Sequence, residues 1–105
     1  MEERITVLVV KPNDIPRVKE INNTLKGLQD IVKGHIECLY PWPDVVIICD
    51  EEGKLKGLRP NRFIKGQLIV GTFIIAGNDG KGDFRSLSDR EITDYKKLFN
   101  AKTLI

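Results

Sequence analysis

Histidine, tryptophan and methionine each occur once in this chain of 105 residues, and cysteine only twice. With His35 as the sole imidazole and no Cys-x-x-Cys spacing, Cys38 and Cys49 cannot assemble a four-ligand zinc site of the usual kind. A disulfide is not expected either. If Pro41–Asp44 is a turn flanked by Tyr40 and Val45, Cys38 faces Ile47 and Cys49 faces Ile36, a diagonal too long for a bridge, and both thiols act as small core hydrophobes. No apolar run approaches the ~20 residues of a membrane-crossing helix. In MEERITVLVV the acidic residues come before the apolar run, the reverse of a signal peptide, so a cytosolic protein with no membrane contact is expected. The chain also lacks a G-x-S-x-G elbow and any phosphate-loop spacing, and its turn-borne carboxylates have local hydrogen-bonding reasons to be there. Enzyme activity is therefore disfavoured, and no cofactor or metal is expected.

Charge of one sign is missing as well. Seventeen basic and fifteen acidic residues leave a net +2, so composition gives no footprint for nucleic acid or anionic lipid. What is present is an ordinary globular balance, 41% apolar and 30% charged, in a length that suits one core. Residues 1–105 read as a single domain.

Along the chain, Arg4–Val10 is a β-branched run that fits a strand covered on both faces, ending at Lys11-Pro12. Pro16–Glu20 reads as a short edge strand. Leu25, Leu28, Ile31 and Val32 recur at helical spacing after a cap at Asn22, Asn23 or Thr24, with Gly34 as the left-handed C-cap. Within this helix, Gly27 marks either a close approach to the sheet or a weak segment. His35–Tyr40 and Val45–Cys49 are strands, and Asp50–Gly53 a turn with Gly53 at positive φ. After an irregular stretch in which Arg59–Arg62 starts a helical turn and Phe63 and Ile64 re-enter the core, Gln67–Ala76 is the longest apolar run. It reads as one strand, bent or bulged at Gly71. Gly77–Asp83 is a hairpin loop. Ser88-Asp89-Arg90-Glu91 is a capping box opening a helix to Asn100, with Ile92, Tyr95, Leu98 and Phe99 inward and Lys96, Lys97 and Lys102 near its end. The fold class is α+β: a mainly antiparallel sheet with two helices packed on it.

Arg59, Asn61 and Arg62 place two guanidinium groups and an amide in one short segment, a set suited to phosphate or carboxylate; the alternative is that Asn61 caps backbone groups and the arginines pair with Glu51 or Glu52. Asn78 and Asp79, leaving the long apolar run, join them as candidate ligand-binding residues. Trp42, held between Pro41 and Pro43, is the candidate anchor for a protein partner, the alternative being a ring folded back over the core. The basic run Lys54, Lys56, Arg59, Arg62 and Lys65, with Trp42 or Phe63 to stack, offers a weaker nucleic-acid reading, against which the near-neutral charge counts.

The VLVV-x-P strand, EEGKLKGLRPNR followed by GTFIIAG, and the closing FRSLSDREITDYKKLF together resemble the uncharacterised bacterial and phage family known as domain of unknown function 3846, over nearly the whole chain. The family has no established reaction, so the resemblance assigns no site residue. It implies small stand-alone accessory proteins of firmicute genomes, phages and mobile elements. In that setting a non-catalytic binding module is expected, capturing a small nucleotide-like or phosphorylated ligand or, alternatively, a host protein. A homodimer is the expected assembly.

Overall fold

The computed structural model describes residues 3–101. Its first strand, β1 (Arg4–Val10), alternates as the pleat requires: Ile5, Val7 and Val9 project to one side, Leu8 and Val10 to the other. Both sides are covered, which is why the run is almost continuously apolar. β2 (Arg17–Asn22) returns antiparallel beside it, with only Ile21 buried, the pattern of an edge strand. β3 (Ile36–Leu39), β4 (Val45–Asp50) and β7 (Phe73–Asn78) complete a sheet of order β2-β1-β7-β4-β3, and β8 (Phe84–Arg85) pairs with the end of β7. β5 (Pro60–Ile64) and β6 (Gln67–Val70) form a separate hairpin, and every strand pair in the molecule's described part is antiparallel.

Helix α1 (Leu25–Val32) buries Leu28 and Val32 against Val7, Val46, Ile48 and Ile74 on one face of the sheet. Helix α2 (Asp89–Leu98) shares the opposite face with the hairpin, where Tyr95 and Phe99 meet Leu8, Ile47, Phe73 and Ile75. The fold is thus α+β, a sheet between two unequal layers, with one helix on each face. No helix among the described residues is long and apolar enough to cross a membrane.

Both helix starts follow the sequence. Thr24 accepts from the Gly27 N–H, and Ser88 and Glu91 form the capping box. Gly27 marks the close approach: a Cβ there would collide with the Asn22 carbonyl. α2 ends at Leu98, two residues before Asn100, and Lys102 lies outside the described residues.

Several expectations are corrected. The left-handed C-cap of α1 is Lys33 (φ 66°), not Gly34. Gly34 is needed for space instead, because a Cβ there would sit 2.5 Å from Asp50 Oδ2 and 2.6 Å from Lys56 Nζ. Gly53 is not at positive φ; it is buried, with Val70 packed where its Cβ would be. The run 67–76 is two strands rather than one. Gly71, at φ 74°, turns the chain out of the hairpin and into the main sheet, and its N–H donates to Arg59 O at 2.7 Å. Residues 60–62 are strand, not a helical turn, and Phe63 points outward while Ile64 enters the core. The β3–β4 register pairs Cys38 with Ile48 and Glu37 with Cys49, one step from the expected pairing. A one-residue slip exchanges faces, so the free cysteines lie on opposite sides of the sheet.

Candidate functional site

Asn61 and Arg62 lie inside the molecule, 1% and 4% exposed. β5 carries them under the end of β1, where they bond backbone carbonyls from separate parts of the chain. Asn61 Nδ2 donates to Val10 O (2.9 Å) and Gly71 O (2.7 Å). Arg62 donates from Nη1 to Asn61 Oδ1 (2.8 Å) and from Nη2 to Asp14 O (2.6 Å) and Phe99 O (2.9 Å). Phe99 caps α2, so the guanidinium also sits at the carbonyl end of that helix, where positive charge is favourable. Burial holds the Arg62 pKa below its ordinary value, with the Asp14 charge opposing, although a guanidinium keeps its proton in proteins. These two side chains hold the fold together from within.

Arg59 points elsewhere. It is exposed and lines a hollow of about 270 Å³ with Lys33, Lys56, Asp50, Thr72 and Pro12. Asp50 ends β4 with its side chain only 1% exposed, accepting from Lys56 Nζ at 2.7 Å and from the Glu52 N–H at 2.8 Å. Burial pushes its carboxyl up, but the hydrogen bonds from Lys56 and Glu52, with the charges of Lys56 and His35, outweigh that and leave it below the usual range. Asp50 therefore stays ionised and orients Lys56 at the wall. Neither Lys33 nor Arg59 has an ion-pair partner among the described residues. Of the three cations around this hollow the sequence reading had named Lys56 and Arg59. Lys33 was missed, because only its left-handed backbone, invisible in the sequence, turns it here.

Asn78 and Asp79 are not part of this group. Asn78 ends β7, about 17 Å of strand from Phe73 at ~3.4 Å per residue, and Asp79 follows it. Both organise the loop that follows: Asn78 Oδ1 accepts from Gly80 N, Asp79 Oδ1 accepts from Lys81 N and Asp83 N, and Asn78 Nδ2 reaches Pro43 O. The five candidate ligand residues are thus divided among the interior, one hollow and a distant loop. The basic run is divided too, since Lys56 and Arg59 line this hollow whereas Arg62 and Lys65 line another.

Trp42 turns back onto α2. Its ring lies 5.3 Å from Tyr95 and 6.4 Å from Phe99 between centroids, with Lys65 Nζ 5.6 Å from the ring centre. Tyr95 donates to Asp44 Oδ1 at 2.9 Å, and burial, with that bond, raises its phenol far above the ordinary range. Trp42 is half-buried and keeps one side toward the hollow lined by Arg62 and Lys65.

Thiol chemistry has little support here. Burial and the neighbouring Glu37 push Cys49 up to about 11, so it is protonated at neutral pH. Among the described residues no three His, Cys, Asp or Glu side chains cluster as metal ligands would.

Comparison with curated proteins and with solved structures gives no match. The family comparison does: the pattern described as Domain of unknown function (DUF3846) matches residues 5–100, nearly the whole chain, and this protein belongs to that family.

Proposed function

We propose that this protein is a small non-catalytic binding module whose ligand carries a phosphate group, held in the hollow between the end of α1 and the segment 56–59. The observation that carries this reading is the charge around the hollow: Lys33, Lys56 and Arg59 against one carboxylate, Asp50, which is already occupied by Lys56. An anion entering there meets a planar bidentate donor in Arg59 and two ammonium groups. At about 270 Å³ the hollow is smaller than the ~300–1,000 Å³ of sites that enclose a drug-sized molecule. It suits the phosphate and sugar of a small ligand, with any base lying outside. The setting implied by the family resemblance, a bacterial or phage accessory protein of the cytoplasm, agrees with stoichiometric capture. Capture of a host protein through Trp42 has less to rest on, because that ring is engaged with Tyr95 and Phe99.

The test is a thermal-shift series with inorganic phosphate, sugar phosphates and nucleotides on the wild type and on Arg59→Ala and Lys33→Ala. A ligand at 100 times its dissociation constant stabilises by about 2.7 kcal/mol, several degrees in a domain of this size. Both side chains are exposed, so the variants should fold normally and lose the shift. A series in which no phosphate compound moves the midpoint, or moves it as far in both variants as in the wild type, overturns the reading.

A further inference from the structure

A second hollow, of about 180 Å³, opens between the end of α2 and the β5–β6 hairpin. Among the described residues its walls are apolar apart from Arg62 and Lys65: Trp42, Phe63, Ile64, Leu98, Phe99 and Ala101. No acidic residue among those described lines it. Arg62 is 4% exposed, yet each acceptor it reaches is neutral, and no carboxylate among the described residues is within ion-pair distance of it. Asp14, which acts on it through space, gives its carboxylate to Arg17 at 3.1 Å. Arg62 Nε is buried with no hydrogen-bond partner among the described residues. A buried charge without a counter-ion is costly, and a buried unsatisfied donor adds to that cost. At the rim, Lys65 is held over the Trp42 ring, and Phe63 and Leu98 leave 47% and 54% of their surfaces in water.

From these features we infer that the hollow binds a small monocarboxylate with an aromatic or branched apolar body, its carboxylate directed to Arg62 and Lys65 and its body covering Trp42, Phe63 and Leu98. The charge is the reason for an acid, since two cations line the hollow with no carboxylate among the described residues beside them. The walls are the reason for the apolar body, which a bare phosphate or sulfate lacks. The volume, below that of drug-sized sites, is the reason for a small ligand. This site is separate from the phosphate hollow and does not rest on that reading.

Trp42 is the only tryptophan and lines the hollow, so its emission reports occupancy directly. The probes are phenylacetate and its neutral isostere phenylacetamide, added to the full chain with ionic strength held constant. The expected result is a saturable change in Trp42 emission with phenylacetate, at least about tenfold weaker affinity for the amide, and no change with inorganic phosphate. Amide resonances of Phe63–Lys65 and Leu98–Phe99 should move in a ¹⁵N spectrum while those of Lys33 and Lys56 stay. Arg62→Gln removes several interior bonds and is expected to unfold the protein, so the informative variant is Lys65→Gln. It lies at an exposed turn, and it should keep the wild-type melting midpoint and bind phenylacetate several-fold more weakly. Equal affinity for acid and amide, perturbed amides elsewhere, or no saturable change up to about 10 mM acid would each overturn the proposal.

Discussion

Asn61 ties the end of β1, the turn at Gly71 and the Arg62 side chain together from inside the molecule. Its Nδ2 bridges the last carbonyl of β1 and the Gly71 carbonyl, and its Oδ1 accepts from Arg62. Removing it leaves two buried carbonyls and one guanidinium nitrogen short of a partner, at roughly 1–3 kcal/mol for each buried unsatisfied group, less what water entering the gap restores. Asn61→Ala is expected to lower stability by about 3 kcal/mol in urea titration with little change in the slope. A loss under about 1 kcal/mol would show that the bridge is dispensable. This is also where the sequence was least legible. A buried polar residue has no periodic signature, and Asn61 and Arg62 follow a proline, so they look like a turn with solvent-facing donors when they are interior struts. Gly34 and Lys33 misled for a related reason, because glycine at a helix end can serve φ or serve space and only the neighbouring Asp50–Lys56 pair decides which.

Among the elements, α2 carries the clearest local code and the clearest pH dependence. Ser88 and Glu91 cap its first turn, and Glu91 accepts two bonds from Arg85, at 2.8 and 3.0 Å. Arg85 also donates to Asp44 O, so this pair ties α2 to the start of β4. The Arg85 bonds lower the Glu91 pKa from its ordinary 4.5 to about 2, against the effect of burial. A carboxylate whose pKa is depressed by folding stabilises fully above its unfolded value and loses that contribution as pH falls toward the folded one. Stability should therefore decline between about pH 4.5 and 2. The shift sets a ceiling of about 3 kcal/mol, and partial exposure of Arg85 brings the expected contribution to about 1–2 kcal/mol. Glu91→Gln should flatten that part of the urea-stability profile, and an unchanged acid slope would remove this account. The capping box, β1 and the stripe Ile92, Tyr95 and Phe99 were legible because local chemistry and periodicity agreed in them; Leu98, expected in the same stripe, is exposed instead. The long run 67–76 was not. β6 and β7 are equally apolar, and the division at Gly71 depends on which sheet each half joins, a long-range choice that periodicity does not encode.

For the molecule as a whole, the decisive feature is that its two cores share strands. In β1, β4 and β7 successive residues feed opposite faces: Val46, Ile48 and Ile74 pack under α1, while Val45, Ile47 and Ile75 pack under α2 and the hairpin. Neither layer can lose its packing without loosening the backbone ladders that position the other, so unfolding is expected to be one cooperative transition. The layers carry different reporters, since Trp42 senses only the α2 side and far-UV circular dichroism senses both. A change placed on the α1 side therefore tests the coupling. Leu28, 3% exposed, packs in the core that Trp42 does not touch, and Leu28→Ala should cost about 2–5 kcal/mol. At roughly 4–8 °C per kcal/mol for a domain near this size, the Trp42 fluorescence midpoint should fall by at least about 8 °C, together with the dichroism midpoint. If the Trp42 midpoint stayed at its wild-type value while the dichroism signal split into two steps, the sheet would not couple the layers. The hairpin–α2 layer, with its hollow and buried Arg62, would then be a separately stable unit.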